Sequence, residues 1–133
     1  TGDLALLHDS NGWLFANPKS PPLVILLVDN RGGGIFQQLN LEGSTSKTHD
    51  FLFRMPQDVD IISLARAHGI PSRQVSCFED LDFAFEWAFS KNETVMIRVC
   101  TNPVDDAIKR VQIREDLLEH FRTLQKNHSS QTI

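Results

Sequence analysis

The chain reads as an α/β domain of the doubly wound kind, a mostly parallel sheet with helices on both faces. Three observations predict this. Leu23 to Val28 is an apolar run without alternation, as expected of a central parallel strand buried on both sides. Strand-like and helix-like segments then alternate along the chain, which is the order that builds parallel sheets. The glycine-rich turn Asn30 to Gly34 follows the apolar run directly, at the strand end where such folds bind ligands. A Gly-Asp turn like Gly2-Asp3 normally follows a strand and none precedes Thr1, so the sheet is expected to be truncated at its first strand, the chain being cut from a longer polypeptide.

Taken in order, a short helix is predicted from about Asp9 to Ala16, broken by Asn17-Pro18 ahead of Ser20-Pro21-Pro22. Leu23 to Asp29 is the buried strand. Asn30 to Gly34 is a turn that tolerates positive φ, and Ile35 to Leu39 begins a short helix or helical turn. Residues 40 to 57 form the least regular stretch, and loops of that length are usually functional or mobile. Ile61, Leu64, Ala65 and His68 fall at helical spacing after Asp60, and Gly69 ends that helix. Pro71 to Val75 is a short strand. Ser76-Cys77-Phe78-Glu79 reads as a capping box, opening a helix with Phe78, Leu81, Phe85 and Ala88 on one face. Thr94 to Cys100 is the last strand. Asn102 caps a final helix with Pro103 in its first position, running to about Gln125. This organisation implies one domain over residues 1–125 and a polar tail over 126–133.

Composition narrows the function. The 133 residues can bury a real core, and a net charge of −4 argues against a nucleic-acid-binding stripe. An anion would have to be held by local donors and a metal against the overall field. No apolar run approaches the ~20 residues that cross a bilayer. Cys77 and Cys100 form no metal-ligand spacing and read as buried or partly buried free thiols.

The chemistry lies in a split motif. Gly2-Asp3-Leu4-Ala5-Leu6-Leu7-His8-Asp9-Ser10-Asn11-Gly12 is answered by Asn30-Arg31-Gly32-Gly33-Gly34-Ile35-Phe36, with Asp3 and Asn30 separated by 27 positions. Folded onto neighbouring parallel strand ends, these segments bring together a carboxylate, a neutral amide oxygen and a turn whose Gly32 carbonyl is unobstructed. Mg²⁺ takes near-octahedral oxygen coordination from one or two protein oxygens plus phosphates, and this set suits a Mg²⁺–diphosphate group. Amides of the glycine run and the following helix start can face the phosphates. Each half alone has a plainer reading, Asp3 as a helix cap and Asp29-Asn30-Arg31-Gly32 as a simple turn. Their conjunction carries the argument.

That conjunction resembles the thiamine-diphosphate (ThDP) motif of Gly-Asp, a spacer and Asn-Asn. With the later Met55-Pro56-Gln57-Asp58-Val59-Asp60, the sequence more closely resembles the MenD family of SEPHCHC synthases of menaquinone and phylloquinone biosynthesis, over roughly residues 1–100. One departure is Asp29, where the general motif often has a first Asn. The resemblance implies the diphosphate-binding (PP-type) domain, with ThDP and Mg²⁺ as cofactors and Asp3, Asn30 and Gly32 as metal ligands. Gly2, Gly33, Gly34 and Ile35 join them in cofactor binding, and Ile35, Phe36 and Leu39 line the substrate pocket unless they are plain core. It also implies a reaction in which 2-oxoglutarate is decarboxylated and the product added to isochorismate. No catalytic residue is expected in this chain, because the family's activating Glu lies in a different domain. The implied partners are the missing N-terminal pyrimidine-binding and middle domains and further copies in a homodimer or homotetramer, without nucleic acid or a transmembrane segment. The implied location is the cytoplasm, or a plastid if the parent is from a photosynthetic eukaryote. Another ThDP-dependent 2-oxo-acid decarboxylase or acetolactate-synthase-like enzyme, or a non-catalytic docking module, is the alternative.

Other residues rank lower. His8 reads as structural despite its place beside the motif, and His68 as a satisfied core histidine. Arg31 suits a substrate or phosphate contact and a solvent-facing turn equally. The 40–57 loop, with His49, Phe51, Phe53 and Arg54, is a candidate lid. Glu79, Asp80, Asp82 and Glu86 form a solvated helix face with no catalytic role.

Overall fold

The computed structural model describes residues 1–16, 19–35 and 46–129. The Asn17-Pro18 break, Phe36, Leu39 and the start of the 40–57 loop lie outside them. The chain divides into two compact units, Thr1–Thr101 and Asn102–Ile133.

In the first unit, β1 (Val24–Asp29), β2 (Ser72–Val75) and β3 (Val95–Cys100) form a parallel sheet in the order β1-β3-β2. Each strand begins one residue later than the apolar pattern predicts. The flanking carbonyls still join the ladder, Leu23 O accepting from Val95 N and Pro71 O from Met96 N, both at 2.9 Å. Pro71 can contribute only that carbonyl, having no N–H. Beside β1, Gly2 pairs in parallel with Val28, and the Val28 N–H donates to Thr1 O at 2.9 Å.

Alternation along the strands divides the core. Ile25, Leu27 and Met96 pack beneath Leu6, Trp13, Ile61 and Ala65 on one face. Val24, Leu26, Val95 and Ile97 pack beneath Ala84, Phe85 and Ala88 on the other. Helices therefore cover both faces, as the sequence predicts.

The short helix expected from Asp9 to Ala16 forms as a 3₁₀ segment, and a further helix that the sequence pattern did not announce precedes it. Helix α1 (Asp3–His8) starts on Gly2, whose carbonyl accepts from Leu6 N at 3.0 Å. The Ser10 hydroxyl donates to Leu7 O at 3.1 Å, competing for a helical acceptor, and the chain tightens into a 3₁₀ segment over Ser10–Phe15. The stretch read as irregular is helical in part: α2 (Ser46–His49) runs into a π-helical turn over Asp50–Arg54. Both are too short for periodicity to reveal.

Helix α3 (Ile61–Ala67) is capped by Asp60, whose carboxylate accepts from Ser63 N at 3.1 Å. It ends in a Schellman turn, with Gly69 at φ 73°, Gly69 N donating to Arg66 O and Ile70 N to Ala65 O. The capping box at Ser76 does not form. Ser76 Oγ accepts from Gln74 Nε2 at 3.3 Å, the Cys77 thiol donates to Asp80 Oδ2 at 2.9 Å, and a 3₁₀ turn over Phe78–Asp80 precedes α4 (Leu81–Phe89). That turn rotates Phe78 out to solvent, while Leu81, Phe85 and Ala88 face the core. Cys77 and Cys100 are free but exposed, Cys100 because it closes β3 beyond the core.

In the second unit, α5 (Pro103–Ser129) opens with Asn102 Oδ1 accepting from Val104 N at 2.9 Å, and it continues past Gln125. Among the described residues, no helix is long and apolar enough to cross a membrane.

Candidate metal and diphosphate site

The parallel register brings the ends of the split motif together. Asp3 leaves the Thr1–Gly2 pairing as the first residue of α1, and Asn30 follows the last residue of β1. Asp3 is 5% exposed. Its Oδ2 accepts the Gly32 N–H at 2.5 Å. The Asn30 side-chain amide points inward at 2.6 Å from the Gly32 carbonyl oxygen and 3.3 Å from Asp3 Oδ1. Turned one way, the amide nitrogen donates to both oxygens. Turned the other, the amide oxygen joins them in a cluster of three oxygens that needs a cation to hold it. The donor set of one carboxylate, one amide and one backbone carbonyl fits a hard divalent ion. Among the described residues, no group of three His, Cys, Asp or Glu side chains stands together as an alternative metal site.

Burial is the main cause holding the Asp3 carboxyl above its ordinary pKa of 3.8. The Gly32 hydrogen bond works in the opposite direction, and the neighbouring charge of Asp29 adds to the rise. A buried carboxylate pushed up this way gains from a cation beside it.

The glycines serve the turn itself. Gly32 has φ 121°, and a Cβ there would run into the backbone carbonyl of Arg54. A Cβ on Gly34 would meet the Asn30 amide. The expectation that the amides of this run face phosphates does not match their bonding. Gly32 N–H goes to Asp3, Gly33 N–H to Arg54 O at 2.7 Å and Gly34 N–H to Gly32 O at 2.8 Å. Buried amides take the nearest acceptors, and the chain crossing at Arg54 supplies one of them.

Of the remaining predicted residues, Gly2 is exposed beside Asp3, and Ile35 is 67% exposed where the described turn ends. Phe36 and Leu39 lie outside the described residues. His8 is exposed, with Nδ1 2.9 Å from Oδ1 of its neighbour Asp9. His68 packs edge-on against Trp13 with ring centroids 5.4 Å apart, a core contact. The Arg31 side chain is exposed, while its own N–H donates to Asp29 Oδ1 at 2.9 Å.

A cleft of about 530 Å³ opens beside the turn, bounded by Asp3, Asp29, Arg31, Arg54, Asp60 and Arg98 among others. Sequence reasoning assigned nothing to Arg98 and did not see that Arg54 contributes its backbone. Arg98 had a visible signal, a lone charge in an otherwise apolar strand, which needs a partner wherever it is buried.

The chain is 53% identical over 127 residues to a protein of Prochlorococcus marinus (strain MIT 9313) named 2-succinyl-5-enolpyruvyl-6-hydroxy-3-cyclohexene-1-carboxylate synthase, covering 96% of this chain and 22% of the relative. A protein of the same name from Synechococcus sp. (strain CC9902) is 54% identical over 114 residues, covering 86% and 20%. The chain thus spans about a fifth of the length of the curated relatives it matches. Among solved structures, benzoylformate decarboxylase from Polynucleobacter necessarius superposes with a TM-score of 0.60 at 21% identity, over 77% of this chain and 19% of that one. The thiamine diphosphate-dependent 4-hydroxybenzoylformate decarboxylase of Rhodococcus jostii RHA1 gives 0.59 at 25% identity, over 76% and 19%. Residues 1–99 match the model of the thiamine pyrophosphate enzyme C-terminal TPP-binding domain, and the chain belongs to that family.

Proposed function

We propose that residues 1–125 serve as the diphosphate-binding domain of a ThDP- and Mg²⁺-dependent carboligase of the 2-succinyl-5-enolpyruvyl-6-hydroxy-3-cyclohexene-1-carboxylate synthase type. The whole protein would decarboxylate 2-oxoglutarate and add the four-carbon unit to isochorismate, in the cytoplasm of an organism related to the cyanobacterial sources of its relatives. The observation that carries this reading is the meeting of the Asp3 carboxylate, the Asn30 side-chain amide and the Gly32 carbonyl in a chain whose relatives bear that name.

In this reading Asp3, the Asn30 side-chain amide and the Gly32 carbonyl would hold Mg²⁺, whose charge would offset that of the diphosphate. ThDP when bound supplies the electron sink for decarboxylation. This chain's residues bind and orient. Asp3 contributes the negative charge, and Gly2, Gly33 and Gly34 keep the approach to the diphosphate free of side chains. Ile35, Phe36 and Leu39 form apolar walls at the substrate. The activating carboxylate and the substrate-gripping arginines come from other domains, and the active assembly is a homodimer or homotetramer. The isolated chain is expected to be inactive.

Supplying the intact protein with ThDP, Mg²⁺, 2-oxoglutarate and isochorismate, and in parallel with pyruvate or benzoylformate alone, tests the assignment. CO₂ release that requires 2-oxoglutarate, with a coupled adduct from isochorismate, is the expected result. Turnover of pyruvate or benzoylformate only would overturn it.

A further inference from the structure

Arg98 sits opposite Leu27 in the ladder, on the α1/α3 side of the sheet, and its side chain extends toward the strand ends. There Nε and Nη2 donate to Asp29 Oδ2 at 2.8 and 2.6 Å, and Nη1 donates to Gln74 Oε1 at 3.1 Å. The pair is largely buried, with side-chain exposures of 19% for Arg98 and 4% for Asp29. The other Asp29 oxygen accepts the Arg31 N–H at 2.9 Å, and the Asp29 carbonyl accepts the Thr101 N–H at 2.9 Å. Asp29 is thus tied down on every side immediately before Asn30.

The turn that follows needs such a hold. Arg31 lies at φ 59° and Gly32 at φ 121°, and an L-residue such as Arg31 enters that region only when its surroundings over-determine it. The Asp29-to-Arg31 hydrogen bond is a local turn closure of this kind. Its direction depends on where Arg98 anchors the opposite carboxylate oxygen. From there the Asn30 amide and the Gly32 carbonyl take their aim at Asp3.

Charge gives the second argument. Asp3 and Asp29 are both buried beside the Asn30–Gly34 turn, where an anionic diphosphate would approach. Arg98 offsets Asp29, which lessens the negative charge an approaching diphosphate meets beside Asp3.

We propose that Arg98 is a positioning residue for the metal and diphosphate turn, acting through Asp29. The proposal rests on the reading that Asp3, Asn30 and Gly32 hold Mg²⁺. It explains the Asp at position 29, which supplies the counter-charge that Arg98 needs while keeping an oxygen for the Arg31 N–H.

The test uses the intact protein with Arg98→Met, Arg98→Lys and the double variant Asp29→Asn/Arg98→Met. Three readouts are taken: ThDP affinity by calorimetry at saturating Mg²⁺, thermal unfolding without cofactor, and hydrogen exchange of peptides covering residues 29–34. Arg98→Met is expected to weaken ThDP binding by about 10-fold, the low end of the range for partners that contact a metal ligand directly, and to speed exchange across the turn. Arg98→Lys should recover part of the loss. The double variant is neutral and keeps an oxygen for Arg31, so it should bind more tightly than Arg98→Met and stays informative if that single variant fails to fold. Binding and turn exchange left unchanged in Arg98→Met, with only the Tm lowered, would overturn the proposal in favour of a purely structural pair. So would a double variant that folds yet binds no better than Arg98→Met. If the unmodified protein binds no ThDP while Arg98→Met still loosens residues 29–34, the cofactor reading has failed and the proposal falls with it, though the mechanical link from Arg98 to the turn stands.

Discussion

Asp3 and Gly32, separated by 29 positions, meet in a 2.5 Å hydrogen bond from the Gly32 amide to the Asp3 carboxylate. This contact sets the distance between the two halves of the motif. It also places a buried negative charge where the Asn30 side-chain amide and the Gly32 carbonyl already point.

Asp3→Asn should separate stability from binding. Burial holds the Asp3 carboxyl above 3.8, so the folded state binds more protons than the unfolded one between the ordinary value and the raised one. Ionised Asp3 therefore costs stability at all pH above its folded pKa, and the cost disappears as the pH falls below 3.8. Asn keeps an acceptor for Gly32 N–H and removes the charge. We expect the cofactor-free intact protein to melt a few degrees higher near neutral pH, an advantage that vanishes in acid. Mg²⁺-dependent ThDP affinity should fall at least about 100-fold, since removing a ligand costs no less than removing its outer-shell partner. Paired melting and calorimetry check both.

Gly32→Ala should unlock the turn. It forces an L-residue to φ 121° and drives a methyl group into the Arg54 carbonyl, with rigid backbone on both sides. A loss of roughly 2 kcal/mol or more is expected from strain alone. Denaturant unfolding of the intact protein gives the magnitude. Faster hydrogen exchange at both 30–34 and 54–56 would identify the cause.

Asp60→Ala should loosen the start of α3. The Asp60 carboxyl is held below 3.8, first by the Ser63 hydroxyl and then by the Ser63 amide. Its stabilisation is complete above the unfolded value of 3.8 and is lost as the pH falls through the lowered folded value. The variant should melt a few degrees lower at neutral pH, and the gap should close as the solution is acidified below 3.8. A Tm difference unchanged across that range would contradict the capping account.

Leu27→Ala should be the most damaging of the core changes. Leu27 is fully buried in β1, between α1 and α3 packing on one side and the β3 ladder. A cost of about 3–5 kcal/mol is expected from lost transfer energy and the cavity left behind. Because Asp29 follows two residues later on the same face, ThDP affinity should fall as well, and the binding and unfolding experiments above measure both.

Much of this was legible in the chain. The apolar run before Asp29 marked a parallel strand, although the strand in the middle of the sheet order is β3 and not β1. Asp60, Gly69 and Asn102 marked helix ends, because caps and strand periodicity are local physics acting within a few residues. The meeting of Asp3 with Asn30 was legible too, since parallel topology leaves few places for two strand-end segments to go. Other features were hidden. The start of α1 at Asp3 depends on Gly2 pairing with Val28, and at Ser76 the hydroxyl accepts from Gln74 in place of a cap.

The amino-acid order by itself determined the parallel α/β architecture, both faces of its core and the residue types available to a hard metal and a diphosphate. Those follow from periodicity, residue size and ligand chemistry, which each segment carries alone. Only the tertiary structure decided that the glycine amides are spent inside the protein, that the Arg54 carbonyl closes over Gly32 and Gly33, and that Arg98 anchors Asp29. These are competitions among donors and acceptors brought together from distant segments, and their outcome depends on where the packed backbone puts each group.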